Sequence, residues 1–384
     1  MATMTRKQRI LAAIRHKPVD RLPTTFRANK VVAELLMQRF GFEDPKDLAR
    51  HQRPFLDRLQ ADFWSSGTKP DKFSTFTPRY TGPPPQAPYV DDGTSFYKIG
   101  IHSRPARMPG WDIEYPLIGV DPPLAAAGSP SEIRPGFLMD RLELFDFGRM
   151  VNPYREVRPE QIRHSEQDLV SLGTLSSLFM ICCYLRGMEA FLMDMSFDRK
   201  MAERITGAVA DFVLEFNRRE LEAMKGLAAY YGTWDDVAGQ EGLLFSPALF
   251  QRYFLPTYRK LIDNAHAHGL YFGWHCCGSV HEVLPLMIEA GIDVFDVVQT
   301  SARGMELGRL HSQYGRDLCF HGALDVQKDL VQKSAGEIRA LVRKVKDLWG
   351  LRGGIILAPT HETLPDTPVE NLLALYEEVM EPGT

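Results

Sequence analysis

The sequence predicts an α/β fold: a single (β/α)8 TIM barrel spanning residues 1–384, with a long Pro- and Gly-rich excursion over its C-terminal mouth. Three observations predict it. The C-terminal half repeats one unit, a short β-rich run, a polar turn and a helical pattern, which is how parallel strands joined by crossover helices read in sequence. Counting the same unit upstream brings the runs to eight, the number that closes such a barrel. No GxGxxG follows the first run, which counts against an open doubly wound sheet.

The elements follow in order. The opening "MATMTRKQRILAAIRHKPVD" lacks the long apolar run of a signal peptide and reads as an amphipathic helix with Ile10, Ala13 and Ile14 on one side. The first two runs are "LPTTF" (22–26) and a weak "ADFWS" (61–65). Residues 66–135 break the rhythm with Pro, Gly and aromatics and are expected to be an irregular insertion. "LVSLGTLS" (169–176) is the third run. The uncharged stretch 169–185 approaches a membrane span in length, but its Ser and Thr, bounded by Asp168 and Arg186, favour a buried strand and helix.

"AAYYGTWDD" (228–236) precedes a helix that Ser246 caps and Pro247 opens. "LYFGWHCC" (270–277), "VFDVVQ" (294–299), "LCFHGALD" (318–325) and "GIILAPTH" (354–361) complete the set. Capping boxes are expected at Ser334/Glu337 and Thr367/Glu370.

A net charge of -4 gives no reason to expect nucleic-acid binding. Five cysteines without a disulfide spacing suggest a reducing cytosol, hence a cytoplasmic protein with no membrane span.

Chemistry concentrates at the strand ends, where a barrel keeps its active site. Side chains alternate along a strand, so His275 and Cys277 point one way and Cys276 the other. Imidazole plus thiolate suits zinc, and a catalytic zinc takes three protein ligands and keeps one position open. His361 is the first candidate for the third ligand, followed by Asp235, Asp236, Glu241 and His321. A lone His-x-Cys also fits a strand end holding a small buried thiol. What favours a metal is its position, a strand end followed at once by Gly278 and Ser279. Asp236, Gln240, Gln299 and His321 would line the same pocket, and Tyr184 and Arg186 could touch substrate. Asp325 and Asp366 read more readily as helix caps than as site residues.

"RILAAIRHKPVDRLPTTF", "HCCGSV" and "GGIILAPTHETLPDTPVEN" resemble, in this order, blocks of the uroporphyrinogen decarboxylase superfamily, which also holds zinc-dependent corrinoid methyltransferases. The resemblance implies a barrel. In the decarboxylase branch His361, Pro365 and Asp366 match the last block, and Arg27 matches one substrate-binding arginine. A second such arginine is replaced by Val31, and no aspartate matches the one that closes that branch's second strand. The methyltransferase branch is similar at His275, Cys277 and Gly278; its third zinc ligand is a cysteine where this chain has His361.

The resemblance therefore implies zinc held by His275, Cys277 and His361. It implies a methyl group passed between methylcobalamin on a corrinoid partner protein and a thiol or other small acceptor, as in O-demethylation. The alternatives are a carboxy-lyase using His361 and Asp235 as catalytic proton donors, and a non-catalytic barrel that binds a ligand or corrinoid. The resemblance also allows a homodimer.

Overall fold

The computed structural model describes residues 3–46, 48–64, 75–91, 96–107, 114–152, 158–162 and 169–381. It is a mixed α/β fold built on parallel strands: β1 (Thr25–Phe26), β2 (Phe63–Trp64), β3 (Ser171–Leu172), β4 (Tyr230–Trp234), β5 (Tyr271–His275), β6 (Val294–Val298), β7 (Cys319–Leu324) and β8 (Ile355–Pro359). Strands β3 to β8 form one six-stranded sheet in sequential order, every pairing parallel. β1 pairs with β2, and a parallel bridge from Thr24 to Leu357 brings β1 beside β8.

The runs read from sequence are longer than the strands they contain. In "GIILAPTH" pairing ends at Pro359, so His361 lies on the loop beyond. Likewise β5 ends at His275, and Cys277 stands two residues past it.

The two faces of the strands bury different things. Tyr231, Phe272, Phe295, Phe320 and Leu357 pack outward into the large core shared with the helices. Tyr230, Val294, Cys319 and Ile356 face the other way and meet Phe63 and Leu169 in a small separate cluster. The helix Arg6–Ile14 packs on that cluster through Ile10, Ala13 and Ile14, the stripe its spacing predicts. Below the first two strands, buried Asp62 binds Arg9 and Arg21 and accepts the Thr24 amide. This ion group ties the first helix to the start of the sheet.

Residues 169–185 become β3 and the buried helix Phe179–Arg186, and no described helix is long and apolar enough to cross a membrane. Ser246 caps the helix Pro247–Tyr253, and Ser334 with Glu337 forms the expected capping box. The box expected at Thr367 and Glu370 does not form. That helix starts at Val369, so Thr367 falls one residue too early and its hydroxyl is buried without a partner.

The excursion is not irregular where it is described, although 66–74, 92–95 and 108–113 lie outside the described residues. Thr77–Tyr80 pairs antiparallel with Phe145–Val151, and His102–Arg107 with Glu114–Val120. Prolines hid these ribbons: Pro78 lies in the first, and Pro105 stands opposite Pro116 in the second. A two-stranded ribbon has only edge strands, where a missing N–H costs no ladder bond.

Candidate metal centre

Three loops leaving the carboxyl ends of β4, β5 and β6 build the site. The sequence changes direction sharply after β5, where Gly278 takes φ +86°, a left-handed conformation natural to glycine. The Gly278 N–H donates to Gln299 Oε1 at 2.7 Å, and the Ser279 N–H to the Gly239 carbonyl at 2.8 Å. The Cys277 N–H donates to Asp236 Oδ1 at 2.9 Å. Gln299 and Asp236 thus pin the thiol loop from both neighbouring strands. A Cβ at position 278 would stand 2.5 Å from the Gly239 carbonyl oxygen and 2.9 Å from that of Ala238. Gly278→Ala is therefore expected to cost about 1–3 kcal/mol and to weaken metal binding by pushing Cys277 off its loop. Denaturant titration and zinc competition check the two effects.

One ligand atom each from Asp236, His275 and Cys277 lies within 4.8 Å of the other two, all three residues half-buried. Cys277 Sγ is 3.6 Å from His275 Nε2. Tetrahedral zinc with bonds of about 2.3 Å to sulfur and about 2.05 Å to nitrogen separates those atoms by about 3.6 Å, so the donor pair fits such an ion.

Behind His275 stands a buried carboxylate. Asp296, opposite His275 in the β5–β6 register, accepts His275 Nδ1 at 2.7 Å. Arg27 Nη2 donates to both Asp296 oxygens at 2.7 Å, and His321 Nδ1 lies 3.1 Å from Oδ1. Burial acts to lower the His275 pKa, but the Asp296 and Cys277 charges outweigh it and raise it to about 10 in the metal-free chain.

The site residues expected from sequence divide by what they touch. Asp236 joins His275 and Cys277, as the structure's third donor. His361 is not part of that group, because the chain carries it past the end of β8 to the exposed rim. It still lies within electrostatic reach. Desolvation of its ring by the surrounding protein, followed by the positive charges of His275 and Arg27, lowers its pKa to about 4.

Asp235 faces the other way, as alternation after β4 requires. It is fully buried and accepts the Leu178, Phe179 and Met180 amides at 2.9, 2.8 and 2.7 Å, and the Tyr258 hydroxyl at 2.5 Å. It caps the start of the helix Phe179–Arg186 from outside that helix. Cys276 also faces the core, and burial pushes its thiol pKa well up.

Three further residues have their contacts fixed elsewhere. His321 does not line an open pocket: it is 1% exposed, with Nε2 2.7 Å from Thr25 Oγ1 and Nδ1 on Asp296. Arg186 binds Asp194 and the carbonyls of Leu124 and Ala127 at 2.8, 2.7 and 2.8 Å, so its fork clamps the excursion to the helices. Tyr184 packs edge-on to buried Phe96, 5.4 Å between ring centroids, and under Gly119. Phe96 also meets half-buried Trp234, which pairs with His275 in the sheet register. Gln240 holds the Arg303 N–H with its backbone carbonyl. Asp325 caps a turn, accepting the Gln327 and Lys328 amides. In the sequence Asp296 is one residue within the run "VFDVVQ" (294–299). The signal that singles it out is its register between two histidines.

Fold and site together define an α/β protein with a candidate metal centre at the carboxyl ends of its parallel strands. The family model "Uroporphyrinogen decarboxylase (URO-D)" matches residues 159–382, and the chain belongs to that family. A curated relative, "Uroporphyrinogen decarboxylase" of Solibacter usitatus (strain Ellin6076), is 26% identical over 189 residues, covering 48% of this chain and 49% of the relative. The chain thus spans about half the length of that relative. A solved structure, "methyltransferase from Methanosarcina mazei", superposes with TM-score 0.59 at 17% identity over 98% of both chains. At that identity the likeness is one of fold.

Proposed function

We propose that this protein is a zinc-dependent methyltransferase of the family, its eight parallel strands closed into a barrel. It would move a methyl group between the corrinoid of a partner protein and a small acceptor, a thiol or an oxygen compound of the O-demethylation type. The observation that carries this reading is the N, O, S donor set of His275, Asp236 and Cys277 at the strand ends. Zinc held there would lower the pKa of an acceptor thiol and keep it nucleophilic at neutral pH.

The chain's own residues supply the rest. Gln299 and Gly278 hold the loop that presents Cys277. His361, kept neutral at pH 7 by desolvation of its ring and then by the cations around it, would take up the proton an acceptor releases. Gln240, half-buried on the loop after β4, would position the acceptor beside the metal. Trp234 and Phe96 offer an aromatic wall next to His275.

The curated relative's name favours a second reading, a carboxy-lyase. Against it, the buried Arg27 guanidinium pairs with Asp296, and Val31 stands where that branch places another arginine.

The experiment incubates the zinc-loaded protein with methylcobalamin and a panel of thiols, following loss of the methylated corrinoid spectrum. Demethylation that depends on zinc and on His275 supports the proposal. Turnover of uroporphyrinogen with no demethylation would replace it with the carboxy-lyase.

A further inference from the structure

Deepening the metal reading, on which it rests, we propose that Asp296 is a positioning residue that commits His275 to ligation through Nε2. An ionised carboxylate only accepts hydrogen bonds, and the buried Arg27 guanidinium, which cannot lose its proton, donates to both of its oxygens. His275 Nδ1, 2.7 Å from Asp296 Oδ2, must therefore be the ring's N–H. With Nδ1 committed as a donor, the proton a metal displaces is the one on Nε2, and Nε2 is the nitrogen 3.6 Å from Cys277 Sγ.

The second histidine closes the arrangement from the other side. His321 Nδ1 lies 3.1 Å from Asp296 Oδ1 and donates to it for the same reason. Its Nε2 then accepts the Thr25 hydroxyl at 2.7 Å. Donation runs one way along Thr25, His321 and Asp296, and meets the bond from His275 at the carboxylate. The register fixes these partners, since Asp296 on β6 stands opposite His275 on β5 and His321 on β7. Four strands thus contribute to one buried group, its carboxylate 1% exposed, and of the histidines bound to it His275 is the half-buried one. A carboxylate behind a metal-bound imidazole fixes its tautomer and raises its basicity, and losing it typically costs 10- to 100-fold in metal affinity.

The test needs no turnover. Protein carrying 15N-labelled histidine is loaded with 113Cd²⁺, and scalar coupling from the metal is read at each ring nitrogen. The expected result is coupling to His275 Nε2 and a slowly exchanging Nδ1 proton. Asp296→Asn keeps the shape of the side chain but removes its charge. It is expected to bind zinc about 10- to 100-fold more weakly in competition with a chromophoric chelator, with unchanged circular dichroism.

Coupling at Nδ1, or a folded Asp296→Asn protein with wild-type zinc affinity, would overturn the inference while leaving the metal centre in place. Should Asp296→Asn fail to fold, the coupling pattern of the wild-type protein decides alone. A wild type that takes up neither cadmium nor zinc overturns the metal centre itself, and this inference with it.

Discussion

Purified without chelator, the wild-type chain should carry about one zinc per molecule, and both His275→Ala and Cys277→Ser should carry almost none. The informative comparison is between Asp236→Ala and His361→Ala. Asp236 contributes an oxygen to the donor group, so its loss removes one of three ligands and should strip the metal. His361 stands outside the group, so its variant should keep wild-type zinc content. With zinc retained, His361→Ala should still lose methyl transfer by about 10²- to 10⁴-fold, the usual worth of general acid–base help. Elemental analysis paired with the methylcobalamin assay separates the two roles. Loss of zinc in His361→Ala with retention in Asp236→Ala would return the third ligand to the position the family resemblance implies.

The second large effect is on folding. Asp235→Ala should destabilise the protein by about 3–5 kcal/mol, because three amides and the Tyr258 hydroxyl lose their acceptor in a fully buried place. Asp235→Asn keeps one acceptor oxygen and should cost less. The pH dependence has a definite sign. Burial raises the carboxyl pKa to about 6, against the bonds from Tyr258 and the three amides, which lower it.

The folded state therefore holds a proton that the unfolded chain, with a pKa of about 3.9, releases. The contribution of this group to stability is largest below about pH 4 and declines by about 3 kcal/mol as the pH rises through about 6. Asp235→Asn, which cannot titrate, should lack that decline when denaturant midpoints of the two proteins are compared from pH 4 to pH 7. Equal slopes for both proteins would show that the amides hold the carboxylate ionised throughout.

The family resemblance and the strand count were legible because they rest on local patterns. Each strand from β4 to β8 announces itself by a β-rich run and a following helix, and His275 with Cys277 is marked by two-residue spacing before a turn glycine. The antiparallel ribbons were hidden by prolines that only an unpaired edge tolerates, as Pro105 and Pro116 show. The Thr367 box failed on a shift of one residue, which no composition rule resolves.

By itself, then, the sequence determined the mixed α/β order, the family, the common direction of His275 and Cys277, and the opposite facing of Cys276. These follow from periodicities of 2 and 3.6 residues, properties of neighbours along the chain. Only the tertiary structure decided that Asp236 rather than His361 joins the pair, that Asp235 is a helix cap, that Arg186 is a clamp, and that Asp296 gathers Arg27, His275 and His321. Those outcomes depend on where each strand stops and on its register against strands far off in sequence. A single residue of difference there, as between Asp235 and Asp236, turns a side chain from the site to the core.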